Sequence, residues 1–116
     1  MFKVSCIQLR SDDNFQNNLN RTTKLIKKAV SQKTNFILTP EISSIFLLNK
    51  KKLLKICTSM QKDKYLLGIR LLAKKYKVWI LIGSLILKIG NNKLVNRAVL
   101  IDKFGKIKCY YDKIHM

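Results

Sequence analysis

A chain of 116 residues with 47% hydrophobic side chains has apolar surface for one modest core, which excludes both a multidomain protein and a disordered one. The formal charge of +18 favours anionic partners only through non-specific attraction. Twenty of the 24 basic residues are lysines spread over every segment, with Lys50-Lys51-Lys52 as the one run, and only four are arginines, the usual readers of bases and phosphates. The abundance of Lys, Ile and Asn is what an AT-rich coding sequence produces, so the charge is read as compositional and no specific nucleic-acid partner is expected. A small basic nucleic-acid-binding or interaction module stays as the alternative from another class.

No membrane partner is expected either. The longest apolar run, Val78 to Leu87, is too short to span a bilayer. The opening residues Met1 to Cys6 show no signal-peptide pattern. Cys6, Cys57 and Cys109 are odd in number and form no CxxC or Cys/His cluster, so no zinc site is expected. Reduced, buried structural thiols in a cytoplasmic protein are the expected reading.

In chain order, Lys3 to Leu9 alternates as a strand. Asp12-Asp13-Asn14 then offers N-cap chemistry. Phe15, Leu19, Thr22, Ile26, Ala29 and Val30 recur at helical spacing, and Lys24, Lys27 and Lys28 lie near the C-terminus, where the helix dipole favours them. Asn35 to Thr39 reads as a short strand buried on both faces. Pro40 cannot donate a ladder hydrogen bond, so it ends that strand and presents Glu41 just beyond.

Ser43 to Ser59 stays open between a long loop and a short helix around Leu53 and Ile56. Asp63 to Lys77 is a second helix, with Leu66, Ile69, Leu72, Ala73 and Tyr76 on one face. Tyr65, Tyr76 and Trp79 are expected in the core. Val78 to Ile89, Leu94 to Ile101 and Ile107 to Tyr111 read as strands, joined by turns at Gly90-Asn91-Asn92 and Lys103-Phe104-Gly105-Lys106. Helices between the early strands and hairpins between the later ones predict an α/β fold with a mixed sheet.

Two polar residues close apolar strands far apart in sequence: Glu41 after Phe36-Ile37-Leu38, and Lys113 within Tyr111-Asp112-Lys113-Ile114-His115. Each alone is uninformative. Taken alone, Glu41 reads better as a solvated loop carboxylate than as a catalytic one, and Lys113 is one lysine among twenty. Their order with other features carries more. These are Val4 to Gln8 as an opening strand, Asn18 with Ile26 and Ala29, the Pro40-Glu41 pair, Leu72-Ala73, Ile82-Gly83, Asn96-Arg97-Ala98, the Gly105 turn and the Tyr-x-Lys-x-His segment.

On those residues the chain resembles the N-terminal half of the carbon–nitrogen hydrolase (nitrilase/amidase) family. The resemblance implies that residues 1–116 are the N-terminal portion of one domain, a partial α-β-β-α sandwich of the nitrilase type with its C-terminal half missing. It implies a Glu-Lys-Cys triad that cleaves a non-peptide amide or a nitrile, without metal or organic cofactor. Glu41 matches the general base and Lys113 the oxyanion-stabilising lysine, with Tyr111, His115 and Asn96 in support. The nucleophilic cysteine lies downstream in the family, so the chain alone is expected to be inactive. Cys109, inside a strand four residues before Lys113, is not expected to replace it. Expected partners are a small amide or nitrile, and a C-terminal half or a second copy of the chain. A split hydrolase, completed by a separate polypeptide, is the alternative.

Overall fold

The computed structural model describes residues 2–7, 14–41 and 49–113. Asn14, in extended conformation, opens helix α1 (Phe15–Ser31) by accepting the Asn17 N–H at 2.9 Å. The buried stripe is Asn18, Thr22, Ile26 and Ala29, as the periodicity predicts. Helix α2 (Lys50–Ile56) is short and capped by Asn49, which resolves part of the ambiguous segment; residues 42–48 lie outside the described ones, as do Gln8 and Asp12-Asp13. Helix α3 (Lys64–Tyr76) starts at the Asp63 cap, which takes the Leu66 N–H at 2.7 Å, and stops where Lys77 turns left-handed at φ 54°.

The two long helices pack against each other at small and polar positions. Gly68 lets the Leu19 side chain approach so closely that a β-carbon there would lie 2.8 Å from its methyls. Beside it Thr22 Oγ1 and the Tyr65 hydroxyl share a buried hydrogen bond of 2.8 Å.

Strands β1 (Val4–Cys6), β2 (Phe36–Leu38), β3 (Trp79–Ile89), β4 (Lys93–Ile101) and β5 (Ile107–Lys113) form one sheet in that order. The pairs β1–β2 and β2–β3 are parallel, because helices connect them. The pairs β3–β4 and β4–β5 are antiparallel hairpins. The result is the mixed α/β sheet that the sequence predicts. The second hairpin turn needs Gly105, which holds φ at 81° and whose missing side chain leaves room for the Arg70 carbonyl.

The core lies on one face of the sheet. Ile37, Ile80, Ile82, Val99 and Ile101 are fully buried there and cluster with Ile26, Tyr65, Leu66 and Ile69 of α1 and α3. The other face is largely open. One row across it reads Cys6, Leu38, Leu81, Leu100, Cys109, in register over all five strands, with both ends exposed and the middle half-buried. Among the described residues only its far end is covered, where Leu53 and Cys57 meet Ile86 and Leu94.

This open face corrects several expectations. Strand β2 is buried on one face only: Ile37 is enclosed while Phe36 and Leu38 are half-exposed. Tyr65 is core and Tyr76 packs against it from the end of α3, but Trp79 is only half-buried. Cys6 and Cys109 are exposed rather than buried, because both sit on edge strands and point to the open face. Cys57 is buried, and burial, reinforced by Asp63, pushes its thiol up to about 11. Two of the three thiols should therefore react at once with a disulfide reagent at pH 8, and Cys57 only after denaturation. Titration of the folded chain with a chromogenic disulfide checks this; immediate reaction of all three would contradict the packing of α2 on the sheet. Among the described residues no helix is long and apolar enough to cross a membrane.

Candidate active site

Glu41 is placed by a local conflict between a proline and a glycine. After β2 the ladder continues for one residue: the Thr39 N–H donates to the Leu81 carbonyl at 2.9 Å. The Gly83 N–H then donates to both the carbonyl and the hydroxyl of Thr39, each at 3.1 Å. Pro40 has no N–H to offer, so pairing stops and the chain leaves the sheet at Glu41. Gly83 is what lets the departing backbone lie so close. A β-carbon there would be 2.4 Å from the Thr39 oxygen and 2.7 Å from the Pro40 carbonyl. The register of β3 against β4 shifts between Ile82 and Leu85, around this same glycine, as at a β-bulge.

Lys113 arrives from the other side. Strand β5 runs two residues beyond the predicted end at Tyr111, because Asp112 and Lys113 continue the ladder opposite Arg97 and Asn96. Alternation sends Arg97 and Asp112 to the helix-covered face and Asn96, Tyr111 and Lys113 to the open face. On the covered face the Arg97 guanidinium grips Asp112 with two bonds, Nε to Oδ1 at 2.5 Å and a terminal nitrogen to Oδ2 at 2.9 Å. It also stacks 4.0 Å over the Tyr110 ring. This clamp holds the end of β5 and therefore Lys113.

The Arg97 hydrogen bond draws the Asp112 carboxyl below its ordinary range, and Asp112 in turn raises Arg97. A depressed carboxyl contributes stability above its unfolded value near 4 and loses it as pH falls through the lower folded value. Acid unfolding should accordingly be shallower in Asp112→Asn than in the parent below about pH 4. Asp102, held low chiefly by the Lys106 backbone N–H, keeps a residual slope in both. Thermal midpoints between pH 7 and 2 test this, and identical slopes would show that the clamp does not couple to folding.

The Lys113 ammonium donates to the Glu41 carboxylate, closing a contact between residues 72 apart in sequence. The Glu41 side chain is 71% exposed and that of Lys113 30%. An ion pair this open contributes at most about 1 kcal/mol to stability, so folding energetics give little reason for it. It offers a proton-accepting carboxylate beside a fixed cation at the open end of the sheet.

The remaining predicted residues take different positions. Asn96 is buried at 8% exposure, directly opposite Lys113 in the ladder. Tyr111 is 64% exposed on the same face. His115 lies outside the described residues. None of the three thiols joins the pair. Cys109 is four residues up β5, about 13 Å along the strand, and Cys6 is on the opposite edge of the sheet, about 19 Å across from β5. Cys57 is buried beside α2. Among the described residues no three His, Cys, Asp or Glu side chains gather as a metal site.

Reading the sequence misses the parts that position the pair. Gly83 and the Arg97–Asp112 clamp carry no role there. The one signal for Gly83 is a glycine inside an otherwise continuous strand pattern, a mark of bulges and close backbone approach. Arg97 and Asp112 have no local signal, because their pairing depends on register.

Comparison with known proteins matches the sequence and the fold. The carbon-nitrogen hydrolase family model covers residues 3–116. The chain is 29% identical over 115 residues to the deaminated glutathione amidase of Yersinia enterocolitica, covering 97% of this chain and 40% of that protein. It is 27% identical over 116 residues to the nitrilase and fragile histidine triad fusion protein NitFhit of Caenorhabditis elegans, covering 97% of this chain and 26% of that one. The crystal structure of C. elegans NitFhit superposes with a TM-score of 0.87 at 25% identity, over all of this chain and 29% of the other. An amidase from Nesterenkonia sp. superposes with a TM-score of 0.83 at 21% identity, over 99% of this chain and 43% of the other. The chain thus spans less than half the length of these relatives. With a family match from one end to the other and the same α/β fold, the chain belongs to the carbon-nitrogen hydrolase family.

Proposed function

We propose that Glu41 and Lys113 are the base and the oxyanion-stabilising cation of an amidase site whose nucleophilic cysteine comes from outside these 116 residues. The observation that carries this reading is the Glu41–Lys113 pair itself, an exposed contact between two strand ends. Glu41 takes the proton of the incoming thiol, and the sulfur adds to the amide carbon. Lys113 donates to the carbonyl oxygen as it becomes negative. The C–N bond breaks, and the leaving amine takes the proton from Glu41. Water then gives a proton to Glu41 while its oxygen attacks the thioester, releasing the acid and restoring the thiol. Neither step calls for a metal or an organic cofactor. Structures of the Nesterenkonia amidase hold acrylamide or butyramide, which supports a small amide over a nitrile as substrate here.

A second reading concerns where the cysteine half resides. The open sheet face and the exposed edge strand β5 are surfaces on which a second half can pair and pack, whether it is joined to this chain or, as in a split hydrolase, a separate polypeptide. One experiment addresses both readings. The chain is assayed for ammonia release from acrylamide and butyramide, alone and after co-expression with the polypeptide encoded downstream. The chain alone should be inactive and the assembled protein active. Turnover by the chain alone that survives Glu41→Gln would overturn the proposal. So would a folded assembly that leaves every amide intact.

A further inference from the structure

Among the described residues, Asn96 Oδ1 is the buried side-chain oxygen without a hydrogen-bond partner. A buried carbonyl left without a donor is costly, so a sheet that retains one has a donor for it in its working state. The register says which donor. On β3 the partner of Asn96 is Ile86, and along β4 the same face carries Leu94 and Ala98. None of these side chains can donate. On β5 the partner is Lys113. Side chains directly opposite in a ladder have β-carbons about 5 Å apart, well within the span of a lysine stem. An ammonium has three N–H donors, and Glu41 takes one of Lys113's.

We propose that Asn96 Oδ1 is the second acceptor of the Lys113 ammonium, so that Glu41 and Asn96 hold two of its donors and the third is aimed at the substrate oxygen. The aim of the third donor rests on the amidase reading above; the Asn96–Lys113 bond does not. Asn96 touches no reacting atom and is a positioning residue. A neutral carbonyl suits that task. It fixes rotation about the terminal C–N bond without adding a second negative charge to compete with the developing oxyanion.

The test uses the full chain labelled with nitrogen-15 and carbon-13 in lysine and asparagine. The Lys113 ammonium signal is assigned by its loss in Lys113→Arg. A coupling across the hydrogen bond from Lys113 Nζ to Asn96 Cγ is expected in the parent, which needs no further variant. Asn96→Leu should speed exchange of the Lys113 ammonium protons with water about tenfold, and Asn96→Asp, which keeps an acceptor, should keep it slow. Absence of the coupling, with equal exchange rates in the parent and Asn96→Leu, would overturn the bond. These readouts need no catalysis, so they stand or fall apart from the amidase reading. In the assembled enzyme Asn96→Leu should lower kcat about tenfold with KM little changed, as expected for lost orientation. A loss confined to KM would overturn the positioning role.

Discussion

Glu41→Gln in the assembled enzyme is expected, on the amidase reading proposed above, to lower kcat by about a thousandfold, within the range that a positioned general base contributes. Glutamine has nearly the same shape, and its carbonyl still accepts from the Lys113 ammonium. What it loses is the capacity to take the thiol proton. Lys113→Met, which on the same reading removes the cation from the developing oxyanion, is expected to lower kcat by about a hundred- to a thousandfold. The double variant falls only slightly below the weaker single one, because the groups act as a unit. Stability separates this from a structural role. With the Glu41 side chain 71% exposed, each variant shifts the free energy of unfolding by less than about 1 kcal/mol. Urea unfolding beside single-turnover kinetics checks both statements. A large loss of stability with intact turnover would make the pair a structural strut.

Gly83→Ala should have the next largest effect after these two, although Gly83 takes no part in the chemistry. The added β-carbon meets backbone on the neighbouring segment, 2.4 Å from the Thr39 oxygen and 2.7 Å from two Pro40 atoms. No flexible side chain is available to give way, so Thr39-Pro40 shifts by roughly 1 Å and carries Glu41 with it; misplacement on that scale costs about a hundredfold in kcat. The disturbed ladder bonds and overpacking cost about 1–3 kcal/mol of stability besides. Gly90→Ala is the control. Gly90 also resists substitution, through a φ of 64°, but a β-carbon there meets nothing within 4 Å and the turn lies far from Glu41 along β3. It loses about 1 kcal/mol of stability with unchanged kcat. Equal kcat losses in the two glycine variants would show that the effect is global destabilisation.

How much of this was readable in advance differs by element. Helices α1 and α3 were legible because their caps and apolar spacing are local: Asn14, Asp63 and the repeats that follow them act within a few residues. The hairpins were legible for the same reason, since Gly90 and Gly105 announce their turns. Strand β2 was half legible. Its three apolar residues look alike in sequence, and only the one-sided cover by α1 and α3 separates the enclosed Ile37 from half-exposed Phe36 and Leu38. The end of β5 is not legible in the sequence, because Asp112 and Lys113 are poor strand formers alone. The ladder to Arg97 and Asn96 overrides that preference.

The candidate site shows the same division. Glu41 and Lys113 were identifiable by residue type and by resemblance, because Pro40 ends one strand and the Tyr-x-Lys-x-His segment marks the other. Chain order, helix and strand periods and turn chemistry are thus determined by the sequence itself, since each depends on neighbours a few positions away. Only the tertiary structure decided that Cys6 and Cys109 face outward, that Asn96 stands opposite Lys113, that Gly83 makes room for Thr39-Pro40 and that Arg97 clamps Asp112. Those relations join residues 15 to 44 positions apart or depend on which sheet face is covered. They are set by register and packing, which no local pattern encodes.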